Sequence, residues 1–106
     1  MLKLFGIFAV FLLLFLFNSI PSSYSDQGEE LFKRKCGACH GTAGEAPAFS
    51  PVKYASNQWK RFFDRDKHAR KKDISNEISN SDILIIRGYL MAHAADSDLP
   101  IAAGLR

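Results

Sequence analysis

The sequence predicts one small all-α domain of about three helices. Three segments carry apolar residues at the spacing of a helix face, and no segment shows the apolar–polar alternation of a half-buried strand. Glycine, proline and serine gather between these segments, as they do in loops. The chain has 106 residues and a formal net charge of +3, so neither its length nor its charge suggests a second domain or a nucleic-acid partner.

Residues 1–25 have the organisation of an export signal. Lys3 gives a positive start, an unbroken apolar run follows from Leu4 to Phe17, and the small-residue pattern Ser23-Tyr24-Ser25 comes next. The run is shorter than the roughly 20 residues that span a bilayer comfortably. We therefore predict a signal peptide over residues 1–25 and a mature domain over residues 26–106, in the bacterial periplasm or an equivalent exported compartment. The alternative is that the apolar run, residues 4–17, stays as a membrane anchor.

The first helix is predicted to begin near Asp26 and to continue to Cys36. The acidic pair Glu29-Glu30 near its start and the basic run Lys33–Lys35 near its end both match the helix dipole. Phe32 and Cys36 are four residues apart, so they share one face of this helix.

The run from Cys36 to His40 reads C-x-x-C-H. Two thiols on one turn can add to the two vinyl groups of a haem, while the adjacent imidazole binds its iron. A zinc site needs four ligands, and Cys36 and Cys39 are the two cysteines of the chain. A thioredoxin-like site would need strands, and a disulfide across two residues would close too small a loop to stabilise much. We therefore predict one haem c, bound through Cys36 and Cys39 with His40 as an iron ligand.

Residues 41–51 are rich in glycine, alanine, proline and serine, which predicts a loop around the haem. Ser56 is predicted to cap a second helix, in which Trp59, Phe62 and Phe63 fall on one face.

A polar stretch over residues 64–73 separates this helix from the last one. The serines of residues 75–81 offer several caps, and the last helix is predicted over about residues 82–95, with Ile83, Ile86 and Leu90 on one face. The tail, residues 96–106, contains proline and glycine and is expected to be irregular.

Two parts of the chain resemble small monohaem cytochromes c. Gly28 to His40 reads Gly-Glu-Glu-Leu-Phe-x-x-x-Cys-x-x-Cys-His, like the start of those proteins. Ile86 to Leu90 reads Ile-Arg-Gly-Tyr-Leu and is similar to their C-terminal helix. The resemblance implies a small cytochrome c-like fold around one covalently bound haem, in which the last helix packs across the first.

A looser resemblance covers residues 36–96. Trp59, His68, Tyr89-Leu90 and Ala94-Ala95-Asp96 follow one another as in the C-terminal module of bacterial dihaem cytochromes c. This resemblance implies that His68 is an iron ligand.

The sequence leaves several candidates for the second axial ligand of the iron. Familiar cytochromes c place a methionine on a loop before the last helix, but the two methionines here are Met1, in the leader, and Met91, inside that helix. The candidates are therefore His68, Met91 and His93, or no side chain at all. Met91 and His93 belong to a helix expected to pack on the first helix. His68 lies in the polar stretch where a ligand loop belongs, provided that the preceding helix ends or bends by about Asp66.

Seven basic residues are concentrated between the second and last helices. Such a run is commonly a solvated surface, but it could also form a positive collar that attracts an acidic redox partner or pairs with haem propionates. They are Lys60, Arg61, Arg65, Lys67, Arg70, Lys71 and Lys72.

These features predict an electron carrier and not an enzyme. With His40 and His68 as iron ligands, the protein would have a lower reduction potential than a Met/His site gives. The alternatives are a gas-binding or peroxidase-like protein with an open distal site, and a haem subunit of a larger oxidoreductase. The expected partners are redox proteins, with no nucleic acid, and a membrane is involved only if the leader is uncleaved.

Overall fold

The computed structural model of the protein describes residues 24–41 and 44–105, and none of these residues forms a strand. The all-α prediction is therefore confirmed for this part of the chain. In chain order its elements are α1 (Tyr24–Leu31), a π turn (Phe32–Cys36), α2 (Gly37–His40), a first 3-10 turn (Pro51–Lys53), α3 (Ser56–Asp64), a second 3-10 turn (Lys67–Arg70) and α4 (Asn80–Ala92).

The apolar run of the leader, Leu4 to Phe17, lies outside the described residues, and so do most of the predicted signal peptide and its alternative, the anchor. Among the residues that are described, no helix combines the length and the apolar composition needed to cross a membrane.

The first and last helices pack directly on each other. Gly28 is buried where α1 meets α4, and a Cβ atom at this position would come within 2.6 Å of the Cβ atom of Tyr89. The rings of Phe32 and Tyr89 lie next to this contact, with their centroids 5.5 Å apart. Glycine is therefore needed for the close approach of the two helices, which is the arrangement that the cytochrome c resemblance implied.

The path from α1 into the C-x-x-C-H motif contains a π turn. The backbone N–H of Gly37 donates to the carbonyl of Phe32, five residues earlier, so one turn holds an extra residue. The extra residue changes the phase of the helix just before the motif. Helical spacing alone, which placed Phe32 and Cys36 on one face, does not describe this turn.

Helix α3 starts at Ser56, but Ser56 is not its cap as predicted. The N-cap position is Ala55, which has no side-chain acceptor. Instead, the carboxylate of Asp96 accepts the Ser56 N–H at 2.8 Å, and the amide oxygen of Gln58 accepts the Ala55 N–H at 2.8 Å. Asp96 in the tail therefore provides a side-chain acceptor at this helix end, which Ala55 cannot provide.

Helix α4 begins earlier and ends earlier than the predicted range of residues 82–95. The hydroxyl of Ser79 accepts the Asp82 N–H at 3.2 Å, which is an ordinary N-cap, and the helix ends at Ala92.

The tail is irregular, as expected, yet its end is part of the core. Leu105 is only 6% exposed. The buried apolar residues are Leu31, Phe32, Trp59, Ile78, Ile86, Tyr89, Leu90, Ala94 and Leu105.

Candidate functional site

A cavity of about 670 Å³ lies between the C-x-x-C-H motif, α3 and α4. The motif faces the aromatic residues of α3 and the aliphatic residues of α4, so the helix faces predicted from residue spacing are the ones that line it. Its walls include Cys36, Cys39, His40, Phe49, Tyr54, Trp59, Phe62, Phe63, His68, Ile74, Ile78, Ile83, Ile86 and Leu90.

His40 is held in one orientation by the loop that follows the motif. Its Nδ1 atom donates to the carbonyl of Pro47 at 2.7 Å, because a carbonyl oxygen can only accept a hydrogen bond. The ring of Phe49 meets the imidazole edge to face, with centroids 4.8 Å apart. In the neutral imidazole, Nε2 then keeps its lone pair free for a metal.

The two thiols lie on the same wall of the cavity as His40. Burial, with a smaller effect of the neighbouring Cys39, raises the pKa of the Cys36 thiol to about 12. Cys36 is therefore a protonated thiol at neutral pH in the folded chain, and so a weak nucleophile.

His68 lines the same cavity, because α3 ends before it. Helix α3 stops at Asp64, and Asp66 has left-handed backbone angles, φ 47° and ψ 46°, which turn the chain into the second 3-10 turn. The condition placed on His68 in the sequence analysis is therefore met. Its Nδ1 atom donates to the carbonyl of Lys72 at 2.8 Å, so this imidazole is oriented in the same way as His40.

The rings of His40 and His68 lie close together, with their centroids 6.3 Å apart and their planes 76° apart. The edge of Phe62 meets the His68 ring at 6.4 Å between centroids. The structure thus brings together the two histidines that the sequence suggested as ligands.

The other two candidates for the second ligand lie outside the cavity walls. Met91 is partly buried and packs against the apolar core. His93 follows the end of α4, where its Nδ1 atom donates to the carbonyl of Leu99 at 2.7 Å and its ring packs on Tyr89. Met91 and His93 therefore contribute to packing outside the cavity, as the helix geometry suggested.

Several charged side chains surround the cavity, and lysines outnumber carboxylates. Lys72 bridges two carboxylates, at 3.3 Å from Glu45 and 3.9 Å from Glu77. Three residues of the basic stretch, Lys67, Lys71 and Lys72, line the cavity together with Lys35 and Lys53. The rest of the stretch is absent from its walls; Lys60, for example, pairs with Asp64 at 2.7 Å.

Sequence reasoning missed the two loop residues that contact His40. Pro47 and Phe49 stand in a segment that was predicted only as a loop, and neither belongs to a helical pattern. The Pro47 carbonyl is a backbone group, so no residue type announces it. No sequence signal therefore identifies this contact.

The cavity fits a haem bound through the motif. Two thiols and an imidazole with a free Nε2 stand on one wall, and the remaining walls are mostly apolar and aromatic. Among the described residues, no three or more His, Cys, Asp or Glu side chains come together in a cluster that could hold a metal ion by themselves. Iron that arrives with the four nitrogen ligands of a porphyrin needs only axial ligands from the chain, which this donor set offers.

In a comparison with protein-family models, residues 25–97 match the model described as Cytochrome c. No curated protein and no solved structure matches the chain. The match covers α1, the C-x-x-C-H motif, α3 and α4, and it agrees with the all-α fold and the cavity described above. The chain therefore belongs to the cytochrome c family, whose members bind haem c covalently and transfer electrons.

Proposed function

We propose that this protein is a periplasmic electron carrier with one haem c, anchored by Cys36 and Cys39 and bound axially by His40 and His68. The observation that carries this proposal is that the imidazoles of His40 and His68 line one cavity with their centroids 6.3 Å apart.

The distance supports ligation of one metal by both rings. Two imidazoles on opposite sides of a metal ion, each with a metal–nitrogen bond of about 2 Å, place their ring centroids roughly 6 Å apart. The hydrogen bonds support it as well, since each Nδ1–H donates to a backbone carbonyl and leaves Nε2 available. Metal-binding histidines ordinarily make such a bond, which fixes the tautomer and raises the basicity of the ligand.

Two imidazole ligands would determine both the reactivity and the reduction potential of the haem. When bound, haem c supplies one-electron redox chemistry, and a site closed by two imidazoles offers no free position for a substrate. Imidazole in place of a methionine sulfur lowers the reduction potential. We therefore propose a low-potential carrier, which suits anaerobic or metal-respiring electron transfer better than delivery to a terminal oxidase. A redox titration that gives a strongly positive midpoint potential would contradict this assignment.

The proposed partner is an acidic redox protein. Lys67 and Lys71 lie beside the cavity, where their charges would attract carboxylates on a partner, whereas the charge of Lys72 is offset by Glu45 and Glu77. Exposed charges act mainly on the rate of association, and salt screens them over about 10 Å at 0.1 M ionic strength. The rate of electron exchange with an acidic partner is therefore expected to fall as salt is added.

The deciding experiment is the absorption spectrum of the holoprotein, oxidised and reduced, with and without carbon monoxide. We expect the wild type to be low-spin and unreactive toward carbon monoxide, and His68→Ala to be high-spin and reactive. His93→Ala is the matched control, because His93 bonds the Leu99 carbonyl outside the cavity, and it should keep the wild-type spectrum.

Two results would overturn the proposal. A wild type that is high-spin and binds carbon monoxide at once would indicate a gas-binding or peroxidase-like protein. A low-spin spectrum that His68→Ala leaves unchanged would show that another side chain is the second ligand.

A further inference from the structure

The end of the tail lies against the loop that orients His40. The Leu105 N–H donates to the carbonyl of Phe49 at 3.1 Å, and the Leu105 side chain is buried. Phe49 is the residue whose ring meets the His40 imidazole. A segment about 65 residues away along the sequence, well beyond the motif, therefore contacts the surroundings of this histidine.

The tail passes close to the loop at Gly104. A Cβ atom at Gly104 would lie 3.2 Å from the Phe49 carbonyl oxygen and 3.8 Å from the Cβ atom of Ser50. The Leu105 side chain also reaches the motif itself, because its Cδ2 atom lies 3.6 Å from the place of a Cβ atom at Gly37. The tail thus touches both the loop and the turn between the two cysteines.

The loop in turn fixes His40 through its backbone. Three of the hydrogen bonds of residues 44–50 join this loop to the motif and to the tail. The Ala46 N–H donates to the Cys39 carbonyl at 2.9 Å, His40 donates to the Pro47 carbonyl at 2.7 Å, and the Leu105 N–H donates to the Phe49 carbonyl at 3.1 Å. Pro47 and Phe49 are only two residues apart. Loss of the tail contact would remove the hydrogen bond that holds the Phe49 carbonyl, two residues after Pro47.

We propose that Leu105 is a positioning residue for His40. By holding the Phe49 carbonyl, its N–H keeps the Pro47 carbonyl in place to accept the imidazole Nδ1–H. A strong hydrogen bond at Nδ1 makes the imidazole a more basic ligand, which favours the oxidised iron and lowers the reduction potential. This inference rests on the proposed role of His40 as an iron ligand.

The test uses the holoprotein and two variants that separate the backbone donor from the side chain. Leu105→Pro removes the N–H, whereas Leu105→Ala keeps it and removes most of the side chain. The readouts are the midpoint potential and the exchange rate of the His40 Nδ1 proton, followed by NMR. In Leu105→Pro we expect a more positive potential and an exchange rate roughly threefold to tenfold faster, since a net hydrogen bond of ordinary strength is lost.

The Nδ1 proton of His68 serves as an internal control. It donates to the Lys72 carbonyl, away from the tail, and its exchange rate should not change. Leu105→Ala should lie between wild type and Leu105→Pro in both readouts. A chain that ends at Ala103 lacks both the donor and the side chain, and we expect the same changes in it as in Leu105→Pro. This shortened chain replaces Leu105→Pro in the test if the proline variant folds poorly.

The inference is overturned if Leu105→Pro and the shortened chain both retain the wild-type potential and the wild-type exchange rate at His40. It is also overturned if both histidine protons exchange faster to the same extent, because the tail would then only stabilise the fold. Failure of the proposed function looks different: His40→Ala would keep the wild-type low-spin spectrum, and it would do so whatever the tail variants show.

Discussion

Asp66 decides where His68 lies. With φ at 47° it adopts the left-handed backbone region, and it is the one non-glycine residue among those described that has a positive φ. Asparagine and aspartate tolerate this region better than other side chains do, whereas residues in general lose about 1–2 kcal/mol in it. At Asp66 the chain changes direction after α3, so the second 3-10 turn, which contains His68, lies beside the cavity.

Substitutions at Asp66 should therefore follow backbone preference and not charge. Asp66→Gly and Asp66→Asn are expected to keep the wild-type stability or improve it slightly. Asp66→Val should lower the free energy of unfolding by about 1–2 kcal/mol, because a β-branched residue is strained at a positive φ. Thermal unfolding of the holoprotein measures this, and carbon monoxide binding reports whether His68 has moved. Equal stability of the valine and asparagine variants would contradict the role given to this turn.

Gly44 is required by a close backbone approach. A Cβ atom at this position would lie 2.0 Å from the carbonyl oxygen of Cys39, a distance at which the backbone must move. Gly44→Ala should lower stability by about 1–3 kcal/mol or more and reduce the yield of protein with attached haem. Mass spectrometry and chemical denaturation measure the two effects.

Gly88→Ala is the matched control for this substitution. Gly88 is exposed within α4, and a Cβ atom there has no neighbour within 4 Å. Alanine is favoured over glycine in a helix interior by about 1 kcal/mol, so this variant should be more stable than wild type. A Gly44→Ala variant that gained stability as Gly88→Ala does would show that the loop after the motif can move freely.

At the scale of elements, local patterns predicted the helices but not the contacts between distant segments that hold helix ends and loops in place. Helical spacing found the cavity faces of α3 and α4, because a face is determined by residues three or four apart. The cap of α3 could not be found in this way, since its acceptor is Asp96, 40 residues beyond Ser56. The same holds for the Phe49 carbonyl, which is bonded by the tail. Local patterns therefore located the helices and their apolar faces, but they did not predict the N-cap at Ala55 or the π turn over Phe32–Cys36.

Asp64 connects α3 to α4 and gives a prediction about acid. Its carboxylate accepts hydrogen bonds from Lys60 and Arg87, and the hydrogen bond from Lys60, with the positive charge of both residues, lowers the pKa of Asp64 below its usual 3.8. A depressed pKa in the folded state stabilises the fold above the usual pKa, and this contribution is lost as the pH falls toward the folded value.

Asp64→Asn should therefore be less stable than wild type at neutral pH, and the difference should shrink as the pH falls below about 4. Thermal unfolding of both proteins between pH 7 and pH 3 measures the change. Asp98→Asn, which makes the same change of charge in the exposed tail, is the control and should show no such convergence. A gap between wild type and Asp64→Asn that stays constant across this range would argue against a contribution of the ion pairs with Lys60 and Arg87 to stability.

The whole molecule is organised around a space that its own side chains do not fill. The described residues line a cavity of about 670 Å³, and four of the core residues, Trp59, Ile78, Ile86 and Leu90, also form its walls. A domain of this length is marginal even with a complete core. Without a bound group, the half-buried apolar residues of the walls, such as Phe62, Phe63 and Ile83, face water with part of their surface. Each then lacks part of the roughly 1.5–3 kcal/mol that full burial of a large apolar side chain contributes.

Removal of the haem should therefore unfold the domain. In a variant with Cys36→Ser and Cys39→Ser, which cannot form thioether bonds, we expect little helical circular dichroism in the absence of haem. Added haemin should restore part of the helical signal, because His40 and His68 remain to bind the iron and the walls remain to bury the porphyrin. A second variant that also carries His68→Ala tests the axial contribution, and it should need a higher haemin concentration for the same signal. A serine variant as helical without haemin as the wild-type holoprotein would show that the helices pack without the haem, and the cavity would then be a preformed site instead of the missing half of the core.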